Sequence, residues 1–323
     1  MKPIKLGIIG CGIAARELHW PVLKEMTDKF EIAAVCNHTE EKAKSFSQMV
    51  GNVPYVLDYN EILNMKDIDA VDIILPIELN FETVKAAMKA NKHIIVEKPL
   101  ASNLKDAENM VELEKTYPKV AMVAENFRYR KAVEKAGNYM ASGKIGKPYA
   151  VFWNKFDKVD KVTNLYANTS WRINHKYPGG FVTDAGIHNI AALRDLLGDI
   201  KGTGIFTKSA NPELGQIDSM SLQFSSPQDI SGVVNLFFSS DGYKENTLKI
   251  LGTQGCITID GDVLTVSKGD SVELQEVYPQ DDGYRGEFED FYKAISEGKK
   301  SKATFYESYL DLKMLIDAYN LEF

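Results

Sequence analysis

A chain of 323 residues, 44% hydrophobic and 26% charged, holds enough apolar material for two domains of ordinary size, which excludes a disordered protein. The formal net charge of −7 provides no basic footprint for a phosphate backbone, and no apolar run reaches the ~20 residues of a membrane span, so neither nucleic acid nor a membrane is an expected partner. Three scattered cysteines (Cys11, Cys36, Cys256) form no CxxC pair, five histidines show no ligand spacing, and the chain enters a strand-like run without a signal-peptide stretch. A reducing, cytoplasmic setting without a metal is therefore expected.

From the N-terminus, short Val- and Ile-rich runs alternate with amphipathic stretches, the rhythm of βαβ units around a parallel sheet. Strands are predicted at 4–9, 31–36, 70–75, 93–96 and 120–124, and helices near 15–27, 40–49, 81–90 and 104–115. Gly51, Pro54, Pro76, Pro99 and Pro118 fall between them, where residues that break ladders and helices belong. Beyond Asn126 the texture is α+β. A helix near 132–142 leads into a strand at 149–156, a polar loop and a helix at 188–197. Runs at 219–224, 232–238, 247–251, 256–259 and 263–266, joined by turn residues, then predict a largely antiparallel sheet with one open face. The segment 285–321 has helical period, with Phe288, Phe291 and Ile295 on one stripe and Leu312, Leu315 and Ile316 on another. The fold class is thus α/β: a doubly wound Rossmann domain over 1–125, then a substrate-binding α+β domain over 126–323.

The first strand runs into Gly10-Cys11-Gly12-Ile13-Ala14-Ala15, a GxGxxA turn that opens a helix. Gly10 permits the tight turn, Gly12 lets the backbone approach a pyrophosphate, and Ala15 allows close helix–sheet packing, so Gly10, Gly12, Ile13 and Ala14 are expected to hold a dinucleotide. An ordinary glycine turn is the alternative. The second strand ends in Asn37-His38-Thr39 with no acid for a ribose 2′-hydroxyl. This neutral trio tolerates a 2′-phosphate and favours NADP(H) over NAD(H), although a plain polar loop would read the same. After the strand at 93–96, Glu97-Lys98-Pro99 places an ammonium at the carboxyl edge of a parallel sheet, where such sheets bind ligands; elsewhere Glu97 and Lys98 would be a solvated pair. In the second half, Asp184 and His188 stand four apart at the start of a predicted helix and share a face. His188 suits a general acid/base and Asp184 its orienter, while a helix cap and a satisfied imidazole fit the same spacing.

Taken together, GxGxxA after the first strand, Glu-Lys-Pro after a later one and Gly179-Gly180-Phe181-Val182-Thr183-Asp184-Ala185-Gly186-Ile187-His188 resemble the Gfo/Idh/MocA oxidoreductase family over nearly the whole chain. The turn 251–256 and the run 288–291 resemble further family features. The resemblance implies hydride transfer on sugars, polyols or related hydroxy or keto compounds, with an open sheet that makes a homodimer or homotetramer. It puts Lys98, Asp184 and His188 on the catalytic positions and adds Leu75, Pro76, Asn80, Glu97, Lys98 and Asn126 to the cofactor contacts. Arg128, Trp171, Arg172 and Asn189 are expected to wall the substrate. This chain departs from the pattern at Leu75-Pro76 with Asn80, where many members have Thr-Pro and a histidine, and at Ala191, where they have a second aspartate. The stretches 124–129 and 170–172 resemble a subgroup that includes fungal NADP-dependent members. Two other activities suit the same motifs: a non-catalytic dinucleotide sensor, and an elimination or glycoside cleavage in which the cofactor is reduced and reoxidised within one cycle.

Overall fold

The structure, a computed structural model, describes residues 2–162 and 164–321, without the side chain of Ile173. It divides into two compact units, residues 1–125 with 284–309, and residues 126–283 with 310–323.

The first unit is built on six parallel strands, β1 (Ile4–Ile9), β2 (Phe30–Cys36), β3 (Tyr55–Val56), β4 (Ala70–Ile73), β5 (His93–Glu97) and β6 (Ala121–Ala124), in the order β3-β2-β1-β4-β5-β6. β4 is buried along its whole length, as expected of strands covered on both faces. The strand order reverses between β1 and β4, whose carboxyl ends open the crevice where doubly wound sheets take ligands. The sequence reading missed β3 and the helix Tyr59–Asn64, both too short to show a period. It also placed 284–309 in the second domain. Packing puts this segment in the first unit, because Phe288 and Phe291 are fully buried with ring centroids 5.9 and 6.2 Å from Phe30. Val123 N–H also donates to Ala303 O at 2.8 Å. The predicted C-terminal helical run is two helices, Tyr284–Glu297 and Phe305–Tyr319.

The second unit carries eight strands: β7 (Pro148–Phe156), β8 (Lys201–Lys208), β9 (Ser219–Ser225), β10 (Ser231–Phe237), β11 (Glu245–Gly252), β12 (Cys256–Asp260), β13 (Val263–Lys268) and β14 (Ser271–Val277). Their order is β14-β13-β12-β11-β7-β10-β9-β8, antiparallel throughout except where β7 pairs with β10. One face packs on the helix Gly180–Leu197, whose Phe181, Val182, Ile187, Ile190, Ala192 and Leu193 are all buried, the pattern of a helix enclosed in a core. On β10, Leu236 comes so close that a Cβ on Gly186 would lie 2.5 Å from its methyl. The other face exposes Phe152 and Phe206. Among the described residues no helix is long and apolar enough to cross a membrane.

Candidate functional site

In the first unit the predicted cofactor residues gather at the carboxyl ends of the strands. Gly10 has φ +107°, and a Cβ there would sit 2.0 Å from Ile74 O at the end of β4, so only glycine makes this turn. A Cβ on Gly12 would meet nothing within 4 Å, which leaves the backbone open to a close-approaching group as a pyrophosphate cradle requires. Asn37 ties the loop to β2: its Oδ1 accepts Cys11 N–H at 3.1 Å and its Nδ2 donates to Thr39 O at 3.3 Å. His38 is exposed beside it. Arg16, which sequence reasoning passed over, donates to Cys11 O (3.2 Å) and Lys42 O (3.0 Å), bringing a cation to the same corner. These residues fit a dinucleotide.

Lys98 is half-buried just past β5, and its backbone is held from two sides. Its N–H donates to Glu97 Oε2 at 3.1 Å. Asn80, expected to touch the cofactor, is instead fully buried, with Nδ2 donating to Glu97 O and Pro99 O, each at 3.0 Å. Its amide serves the Glu-Lys-Pro turn. Asn80→Ala removes both of these bonds and is expected to cost about 1–3 kcal/mol of stability by urea denaturation. A loss below about 0.5 kcal/mol would mean that water replaces the amide. Leu75 and Pro76 are half-buried just after β4.

The second unit holds the other group. The helix begins at Gly180, not near 188, after Gly179 in the left-handed region (φ +76°), so Asp184 and His188 lie in its interior and Asp184 is not a cap. Asp184 is buried, and its Oδ2 accepts Arg172 Nε at 2.6 Å. The Arg172 guanidinium also lies 4.0 Å from the Trp171 ring centroid and 5.3 Å from that of Tyr166. His188 is half-buried and stacks on Phe127 at 4.8 Å. Trp171, Arg172, Asp184 and the pair Phe127–His188 therefore present one polar–aromatic set. Two expected wall residues are placed otherwise. Arg128 is buried, its Nη2 bound to both oxygens of Asp311 at 2.6 and 2.7 Å, and Asn189 is buried on another side of the helix. Arg128 is thus a core ion pair. Asn126, expected at the cofactor, is buried with Nδ2 donating to Asp282 O at 2.6 Å.

A cavity of about 720 Å³ opens at the opposite, amino-terminal edge of the first sheet, beside Ile4, Asp69, Lys92 and His93. Lys92 there is committed to Met65 O and Ile68 O, and burial pushes the His93 imidazole down to about 4, while Lys2, Lys66 and Lys119 also line the cavity. The described residues contain no cluster of His, Cys, Asp or Glu able to hold a metal ion.

Comparison with known proteins agrees with this layout. Residues 4–125 match the oxidoreductase family with an NAD-binding Rossmann fold, and residues 133–258 match the Gfo/Idh/MocA C-terminal domain. The uncharacterised protein YMR315W of Saccharomyces cerevisiae is 32% identical over 93% of this chain and 90% of its own length. A crystal structure of an oxidoreductase from Thermotoga maritima is 37% identical and superposes with a TM-score of 0.91 over 98% of this chain and 95% of that one. A levoglucosan dehydrogenase in complex with NADH and levoglucosan, 24% identical, shares the fold with a TM-score of 0.84 over 98% of this chain and 97% of that one. The chain belongs to the Gfo/Idh/MocA family and is an NAD(P)-dependent oxidoreductase.

Proposed function

We propose that this oxidoreductase acts on a sugar, polyol or related hydroxy or keto compound, with Lys98, Asp184 and His188 as its catalytic residues. The single observation that carries this reading is Lys98 held through its own amide and both flanking carbonyls at the same carboxyl edge of the parallel sheet as a glycine loop open to close approach. Bound nicotinamide supplies the hydride acceptor or donor. The protein's part is proton and charge control. The Lys98 ammonium polarises the reacting oxygen, and His188 removes or returns the hydroxyl proton. Asp184 holds Arg172 over Trp171, giving a charged, flat surface suited to a polyhydroxylated ring. That the levoglucosan dehydrogenase acts on a sugar derivative supports the same substrate class.

The cofactor assigned is NADP(H). The support is the absence of an acid at Asn37-His38-Thr39 and the Arg16 cation at the same corner. The assembly assigned is a homodimer or homotetramer formed through the open sheet face. Its exposed Phe152 and Phe206 are the kind of surface an interface covers. The location assigned is the cytoplasm. Fluorescence titration with NADPH and NADH, then turnover against sugars, polyols, inositols and their keto forms, tests the reading. NADPH is expected to bind about tenfold or more tighter than NADH. Equal affinities would remove the cofactor assignment, and tight binding without turnover on any compound would remove the substrate class.

A further inference from the structure

Behind Lys98 the first unit encloses a string of ionisable side chains that the chemistry above does not use. His19 is 1% exposed; its Nδ1 lies 2.8 Å from Asp72 Oδ2 on β4, and its Nε2 lies 3.0 Å from Glu97 Oε1 at the end of β5. The other oxygen of Glu97 is the one that accepts the Lys98 amide. A carboxylate offers only lone pairs, so a ring flanked by two of them donates from both nitrogens and is an imidazolium. Burial alone would push His19 down, but the charge and hydrogen bonds of Asp72 and Glu97 hold it well above the ordinary histidine value. The rest of the surroundings are neutral or acidic. Phe288 meets the ring edge-on at 5.4 Å, and Tyr284 lies at 6.1 Å. Glu287 is fully buried with no hydrogen-bond partner for either oxygen among the described residues, and burial raises it well above the ordinary carboxylate value; Glu125 is buried nearby at the end of β6.

The local backbone is built to bring His19 inward. Residues Ala15–His19 form a π turn in which Trp20 N–H bonds Ala15 O, five residues back, and such a widened turn reorients the side chains it carries. This turn follows directly on the glycine loop. We propose that His19 is a positioning residue for Lys98: gripped by Asp72, its ring fixes the Glu97 carboxylate where that carboxylate holds the Lys98 amide. The inference rests on Lys98 being the reacting lysine. Without the ring, Glu97 loses the imidazolium that fixes it and its hold on the amide loosens, so the turn that aims Lys98 loses a support.

The test is a double-mutant cycle of His19→Gln and Glu97→Gln, read as kcat on the panel compound turned over fastest and as NADPH affinity by titration. His19→Gln is expected to lower kcat about tenfold or more and leave NADPH affinity within about twofold. The double variant is expected to be no slower than Glu97→Gln alone, since His19 acts only through Glu97. Multiplying losses, or an unchanged kcat in His19→Gln, would overturn the proposal. Full turnover in Lys98→Met would instead sink the reading beneath it, whereas an inactive Lys98→Met beside an unaffected His19→Gln sinks this proposal alone. Should His19→Gln fail to fold, ¹⁵N-histidine NMR of the wild-type protein decides. One ring is expected to stay doubly protonated at about pH 8 and to lose that state in Glu97→Gln, and a neutral His19 ring in the wild type overturns the proposal.

Discussion

Lys98→Met is expected to lower kcat by about 10²- to 10³-fold, the usual cost of removing one preorganised charge from a reacting oxygen. NADPH affinity should stay within about threefold, because methionine keeps the apolar stem of the side chain while removing the ammonium. The backbone supports are independent of the ammonium. Asn80 bonds the flanking carbonyls and Glu97 bonds the amide, so the turn survives the substitution. His188→Ala should cost about 10²- to 10⁴-fold, the range of a general acid/base. Near-wild-type turnover in either variant would remove that residue from the catalytic set.

The sequence announced the first unit more fully than the second, for physical reasons. Strands buried on both faces are written as continuous Val and Ile runs, so β1, β2, β4, β5 and β6 were legible within a few residues. β8 and β14 were not. β8 carries two glycines in Lys201–Lys208, β14 is exposed at most positions, and edge strands of this kind need no strong pattern. The helix from Gly180 was read eight residues late. Two glycines followed by β-branched Val182 and Thr183 argue locally against a helix, and tertiary burial overrides that preference. At the site, motifs carried by neighbouring residues were legible and long-range partners were not. Nothing local marks His19, whose partners stand 53 and 78 positions away, and nothing in Asn80 distinguishes a cofactor ligand from a clamp on the 97–99 turn. Arg128 was misassigned for the same reason, since its counter-charge Asp311 is 183 positions away.

That ion pair carries the largest expected effect on stability. Asp311 is 1% exposed and bonds two guanidinium groups, Arg128 Nη2 at 2.6 and 2.7 Å and Arg194 Nη1 at 2.6 Å. Arg128 and Arg194 are themselves 2% and 6% exposed, so removing the carboxylate leaves two buried cations short of counter-charge. Asp311→Ala is therefore expected to destabilise the protein by about 3–5 kcal/mol, read by urea denaturation. Asp199→Ala removes another partner of Arg194 and is the internal control. Its side chain is 72% exposed, and exposed pairs are worth about 0–1 kcal/mol. The effect should also reach the chemistry. Arg128 anchors the single turn Asn126–Tyr129, and the next residue toward the N-terminus, Phe127, stacks on His188 at 4.8 Å and on Trp153 at 6.4 Å. An unanchored turn lets that ring shift and His188 with it, so folded Asp311→Ala should also lose kcat, while Asp199→Ala should lose neither. Similar small losses of stability in both variants would show that water, rather than Asp311, satisfies the two arginines.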